Sequence, residues 1–157
     1  MEYTISPMQP SEYALLRDFL YLAIYVPEGI APPPESILNE PELQVYLADF
    51  GISPHDRALL AICGGQPAGA VWTRIMDDYG HLDNETPSLA IAVQKQYRGQ
   101  GIGTALMRAM LSLLREAGYR QTSLSVQTAN PALHLYRRLG YVPVREHNGE
   151  MLMVYRF

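Results

Sequence analysis

One cysteine in 157 residues leaves no partner for an internal disulfide, which suits a reducing compartment. That residue, Cys63, closes the apolar run Leu59-Leu60-Ala61-Ile62-Cys63, where a small buried hydrophobe is expected rather than a nucleophile. No apolar run approaches the roughly 20 residues that a membrane helix needs, so no membrane partner is expected. The N-terminus carries an acid at Glu2 and lacks a basic-then-apolar stretch, so no export leader is expected and a cytoplasmic location is. Charge is scarce as well. Only 18% of residues are charged against 48% apolar, which excludes a disordered chain and leaves ample material for a core. The net charge is −4 and the bases do not gather on one segment, so nucleic acid is not an expected partner. At this length one core is the default, and residues 1–157 are read as a single domain.

What is present is a regular alternation of elements. Residues 3–5 read as a first strand. Pro10-Ser11 offers a helix start with Ser11 as the cap, and Tyr13, Leu16, Phe19 or Leu20, and Ala23 or Ile24 follow at helical spacing. Pro27 ends that helix, and residues 27–34, with three consecutive prolines, must be extended loop. A second helix is predicted over residues 41–50, closed by Gly51. Residues 58–63 and 68–75 read as a hairpin across Gly64-Gly65, residues 77–87 as a polar loop, and residues 88–93 as a central strand apolar on both faces. A helix from Ile102 to Ala117 is stopped by Gly118. After it come a strand over 122–127, a short helix over 131–139, and a hairpin across Asn148-Gly149. The expected fold class is α/β (α+β), a mixed central sheet of about six to seven strands with flanking helices.

The informative unit is a strand, a glycine turn and the long helix: residues 89–93, then Arg98-Gly99-Gln100-Gly101-Ile102-Gly103-Thr104. Glycines let the backbone come close to a ligand, and the first N–H groups of a helix have no internal partner. Beside the positive end of the helix dipole, that is a place for phosphate. A P-loop would need Lys followed by Ser or Thr, and this turn has no lysine. A dinucleotide fingerprint would place its third glycine one residue later.

Arg98-x-x-Gly101-x-Gly103 resembles the first signature of the GNAT N-acetyltransferases. Asn130-Pro131-Ala132 followed by Leu135-Tyr136 and Gly140-Tyr141 resembles their second, in the same order and with the helix between. The similarity is strongest over residues 58–145. It implies a GNAT fold whose central strands splay apart to admit acetyl-CoA, with coenzyme A as product and no metal. Main-chain groups of Ile91, Ala92 and Val93 would pair with the pantetheine arm, and the N–H groups of Arg98, Gly99, Gln100, Gly101, Ile102, Gly103 and Thr104 would hold the pyrophosphate. Asn130 matches a further cofactor contact.

The resemblance implies an N-acetyltransferase that moves the acetyl group directly to a primary amine of a small molecule or peptide, as a monomer or homodimer. Tyr136 matches the family's acid for the departing thiolate, and a main-chain N–H such as that of Val93 suits the oxyanion. The base departs from the family's pattern. Ribosomal-protein N-terminal acetyltransferases carry Glu where this chain has Ser125, and the central strand has Ser88, Leu89 and Ala90 where others have an acid. Candidates are His81, Asp83 and Glu85 on the loop before the central strand, and Glu28 and Glu35 on the N-terminal arm. Glu85, nearest that strand in sequence, is preferred, and a chain of waters could also serve. Tyr21, Tyr25, Trp72 and Tyr79 are candidate walls of the acceptor pocket. The missing carboxylates also leave room for another class, a non-catalytic acyl-CoA sensor.

Overall fold

The computed structural model describes residues 2–157. Seven strands form one mixed sheet in the order β1-β2-β3-β4-β5-β7-β6. They are β1 (Tyr3–Pro7), β2 (Arg57–Cys63), β3 (Gln66–Arg74), β4 (Ser88–Val93), β5 (Gln121–Gln127), β6 (Val142–His147) and β7 (Glu150–Arg156). Every neighbouring pair is antiparallel except β4 and β5, which run parallel at the centre. The helices are α1 (Leu15–Ala23), α2 (Pro41–Gln44), α3 (Ile102–Glu116) and α4 (Ala132–Leu139). Among the described residues no helix is long and apolar enough to cross a membrane.

The strand alternation sorts the apolar side chains into two cores, one on each face. Leu59, Ala61 and Val71 point to one face, where Leu106, Met107, Met110 and Leu114 of α3 cover them and α4 adds Leu133 and Tyr136. Leu60, Ala70 and Trp72 point to the other, under Leu16, Phe19 and Leu20 of α1. Cys63 is buried and its thiol faces the Glu2 carbonyl, as an inert core residue would. Asn148 and Gly149, at φ 50° and 79°, make the expected tight hairpin, with His147 opposite Glu150.

Two local readings are corrected. Ser11 is not a helix cap. Pro10–Glu12 form a separate 3-10 turn, closed by the Gln9 N–H donating to Glu12 Oε1 at 2.8 Å, and α1 begins only at Leu15. The helix expected over residues 41–50 is a single turn at α2, continued by tighter turns to Phe50. Its carbonyls are claimed by side chains of β3. Arg74 Nη1 donates to Val45 O and Ala48 O at 3.1 and 2.9 Å, and Trp72 Nε1 donates to Tyr46 O at 3.2 Å. Arg74 also pairs with the buried Asp56 at 3.2 Å, so β3 fixes the whole segment to the sheet. Gly51, at φ 100°, turns the chain where a side chain would strike the Tyr13 ring.

Candidate active site

The sheet opens at its centre. β4 and β5 are paired at one position, Ser88 opposite Ser123, and diverge beyond it. The loop before β4 closes the joined end. Ser123 N–H and Thr122 Oγ1 donate to Pro87 O at 3.0 and 2.9 Å, and Ser123 Oγ donates to Gly80 O at 2.6 Å. Gly80 lies so close to β5 that a Cβ would sit 3.1 Å from Ser125 N. Past that point β4 is bonded to β3 along its length, up to Gly69 opposite Val93, but has no strand on its β5 side. Gln94 N–H donates to Ala68 O at 2.8 Å, so by alternation Ala92 is bonded to β3 while Ile91 and Val93 turn their main chain toward the gap, where the Val93 carbonyl meets the Arg98 side chain.

The gap leads to the glycine turn. Arg98 Nε donates to Val93 O at 2.9 Å, so the guanidinium clamps the end of β4 and closes the turn on itself. Gly99 and Gly101 stand at φ 79° and 81°, a region that L side chains rarely adopt. A Cβ on either would meet nothing within 4 Å, so the backbone demands glycine there and the space above it is open. The first hydrogen bond of α3 runs from Ala105 N–H to Gly101 O at 3.0 Å. The N–H groups of Ile102, Gly103 and Thr104 precede that ladder, at the positive end of a 15-residue helix. Such a cradle fits a phosphate.

On the far side of the gap, Asn130 Oδ1 accepts from Ala132 N–H at 3.0 Å and starts α4. The helix presents Tyr136 to the cleft between the splayed strands, which encloses about 390 Å³. Tyr136 is only 8% exposed, and burial alone pushes its phenol up to about 12, so the hydroxyl stays protonated at neutral pH.

Ile91, Asn130 and Tyr136 therefore meet in one cleft, and Tyr79 joins them. Glu85 does not. Gln121 Nε2 bonds Thr86 Oγ1 at 2.9 Å and ties that part of the loop to the start of β5, so Glu85 lies in a separate hollow with Gly118, Arg120 and Arg156. Asp83 lines the same hollow, its carboxylate holding the Glu85 N–H at 2.9 Å, and His81 Nδ1 is 2.9 Å from Met76 O. Glu28 and Glu35 are exposed on the arm. Trp72 is fully buried core. Tyr21 ties its hydroxyl to Pro33 O, and Tyr25 donates to Ala129 O at 3.2 Å, so these two brace the loops.

Residues that sequence reasoning passed over complete the wall. Glu150 opens β7 opposite Gln127 and accepts from Ser125 Oγ at 2.6 Å and Gln127 Nε2 at 2.9 Å. Tyr46 lines the cleft, and its phenol is raised by burial first and then by the charge of Asp78. Asp78 is itself raised by burial, which outweighs its hydrogen bonds from Ser88, at 2.8 Å, and Tyr46. Among the described residues no arginine, lysine or histidine lines the cleft, whereas Glu40, Glu42 and Glu150 do.

The model of the acetyltransferase (GNAT) family matches residues 23–141. The chain belongs to the GNAT acetyltransferase family. An N-alpha-acetyltransferase of Sulfurisphaera tokodaii is 34% identical over 112 residues, 66% of this chain and 62% of that protein. The chain thus spans about six-tenths of that relative's length. Among solved structures, the paia N-acetyltransferase of Thermoplasma acidophilum, in complex with coenzyme A, superposes with a TM-score of 0.74 at 15% identity, covering 100% of both chains. A GNAT acetyltransferase of Streptococcus pneumoniae gives 0.70 at 23% identity, covering 99% of this chain and 100% of that one. These likenesses show the GNAT fold, with the splay between β4 and β5 at its centre.

Proposed function

We propose that this protein is an acetyl-CoA-dependent N-acetyltransferase that moves the acetyl group to a primary amine in one direct step. The observation that carries the reading is the cleft itself: an unpaired strand edge leads at one end to a phosphate cradle and faces a buried, protonated tyrosine. An extended pantetheine arm has the shape and the amide groups to pair with Ile91 and Val93, as a strand would, whereas Ala92, expected to join them, turns its main chain to β3. Its pyrophosphate belongs on the N–H groups from Arg98 through Thr104, with Asn130 at the opposite wall. The glycines leave room for that approach, and Arg98 serves by closing the turn rather than by its charge.

The reaction needs a neutral amine nitrogen at the thioester carbonyl carbon and a proton for the departing sulfur. As the C–N bond forms, the C–S bond breaks, and the thiolate takes the Tyr136 hydroxyl proton. Negative charge developing on the carbonyl oxygen is met by a main-chain N–H of β4, with Val93 the candidate. Direct transfer is supported by the place of Cys63, buried away from the cleft, so no thiol stands ready to carry the acetyl group. An amine acceptor is supported by the walls: three glutamates and no basic side chain favour a group that arrives as an ammonium.

Calorimetry with acetyl-CoA followed by thiol release over a panel of primary amines tests the reading. Micromolar binding and turnover of at least one amine are expected. No binding at millimolar acetyl-CoA would overturn it, and binding without turnover on any amine would establish the sensor instead.

A further inference from the structure

The reaction needs a group to take the acceptor's proton, and neither splayed strand has a carboxylate. β5 reads Gln121-Thr122-Ser123-Leu124-Ser125-Val126-Gln127 and β4 reads Ser88-Leu89-Ala90-Ile91-Ala92-Val93. The neighbouring strand supplies one. β7 lies antiparallel to β5 with Gln127 opposite Glu150 and Ser125 opposite Leu152. Residues directly opposite, and residues two apart along a strand, share a face of the sheet. Ser125, Gln127 and Glu150 are therefore on one face together, and their hydrogen bonds at 2.6 and 2.9 Å confirm it.

That face is opposite to the one that holds Tyr136. Leu124 and Val126 pack with Tyr136 and α3 in one core, so Ser125 and Gln127 between and beside them point to the α1 side. The cleft reaches both sides through the splay. It touches Tyr136, Leu124 and Val126 on one face, and Leu20, Tyr46 and Glu150 on the other. A carbonyl held in the gap is thus approached from two faces. The thiol leaves toward α4 and its tyrosine, and the amine enters from the side of α1 and Glu150.

We infer that Glu150 is the base of the reaction, taking a proton from the acceptor's ammonium on the α1 face of the splay. The inference rests on the N-acetyltransferase reading above. The N–H bond of the ammonium breaks toward a Glu150 oxygen, the freed lone pair attacks the acetyl carbon, and the C–S bond breaks as the thiolate takes the Tyr136 proton. The second proton on nitrogen passes to water, water also removes the proton from Glu150, and Tyr136 is reprotonated from solvent. The geometry suits the task. Each carboxylate oxygen has one donor from the protein, Ser125 Oγ or Gln127 Nε2, which fixes its plane while leaving lone pairs free. The other acids near the gap are differently engaged. Asp78 is spent on Ser88 and Tyr46, and Glu40 and Glu42 sit exposed on the α2 segment. Glu150 thereby occupies by reach the place that Ser125 leaves without an acid.

The test uses the full chain and an amine that the wild type acetylates. Glu150→Gln keeps the size of the side chain and one acceptor oxygen. Expected is a fall in kcat of at least about 100-fold, with acetyl-CoA affinity and Tm unchanged. The variant's residual rate should climb about tenfold per pH unit until the amine itself is deprotonated, because the free amine must then come from solution. A kcat within about threefold of wild type, or a loss matched by an equal loss of acetyl-CoA affinity, would overturn the inference and leave Glu150 as a strap between β5 and β7. Ser125→Ala provides a second arm should E150Q fold poorly. It keeps the carboxylate but frees one oxygen, and kcat should drop several-fold at unchanged KM for acetyl-CoA; no change in kcat would count against the role. A wild type that binds acetyl-CoA yet turns over no amine would instead refute the transferase reading, a result recognisable before any variant is made.

Discussion

One hollow lies within the splayed centre of the sheet and another beside the start of β5, and the larger one is the poorer candidate for chemistry. The hollow beside the start of β5 encloses about 1020 Å³, against about 390 Å³ for the cleft that holds Tyr136. Asp83 and Glu85 line the larger hollow together with Arg120 and Arg156. The Asp83 carboxyl is held below the usual carboxylate range by its hydrogen bonds to Thr86 and the Glu85 N–H, so it is settled as an anion on the surface. In the smaller cleft the glutamates share the lining with no basic side chain among the described residues, and the tyrosine has been driven by burial toward holding its proton. Size measures room, whereas reactivity follows from charges and donors whose needs are unmet.

The strongest way to break the comparison is at the glycine turn that follows β4, the strand whose Leu89, Ala90 and Ile91 line the smaller cleft. Gly101→Asp puts a carboxylate where phosphate is expected and forces a side chain onto φ 81°. A Cβ there meets open space, so the fold should survive while acetyl-CoA affinity falls on the order of 10³-fold, about 4 kcal/mol. Calorimetry alongside a thermal melt decides it. An affinity within tenfold of wild type would detach the turn from the cofactor, and with it the reason to prefer this cleft.

Tyr136→Phe probes the same cleft more gently. It removes one oxygen from a side chain whose ring packs against Tyr141, edge to face at 6.1 Å, so the core is kept. Turnover should fall on the order of 10²-fold with acetyl-CoA affinity within about twofold, the pattern of a group that acts on the departing thiolate alone. Because burial holds the phenol at about 12, wild-type turnover should show no loss from its ionisation below roughly pH 10. Equal turnover in the variant would reduce Tyr136 to packing.

The strand, the glycine turn and the start of α3 were legible in the sequence because they are local, one strand-turn-helix unit. Asn130 and Tyr136 were placed by their likeness to the second GNAT signature, and they lie just before α4 and on it. The acceptor side depends on contacts between distant segments. Glu150 faces the cleft only because β7 pairs with β5 in a register that sets it opposite Gln127, and a slip of one residue would turn it to the other face. Residues 41–50 read as a helix by period, yet Trp72 and Arg74, far along the chain, draw off the carbonyls of Val45, Tyr46 and Ala48. Glu85 was favoured by its nearness to β4 in sequence, and the tether of Thr86 to Gln121 turns it away in space. Nearness along the chain is a fair guide inside a turn and a poor one across a sheet.

Glu85→Gln offers the smallest effect and the sharpest contrast. Glu85 is exposed and shares its hollow with Arg120 and Arg156, so removing its charge should alter stability by no more than about 0.5 kcal/mol. If the larger hollow has no part in the chemistry, kcat and KM for both substrates should stay within about twofold of wild type. The acid limb of the pH–rate profile should not move either, since a base would have set it. A tenfold loss of kcat at unchanged acetyl-CoA affinity would mean that the loop of residues 77–87 swings Glu85 into the splay during turnover. That motion would have to break the bonds from Ser123 Oγ to Gly80 O and from Gln121 to Thr86, which pin the loop on both sides of Glu85. Both would have to yield together, which is why the two hollows are expected to remain distinct.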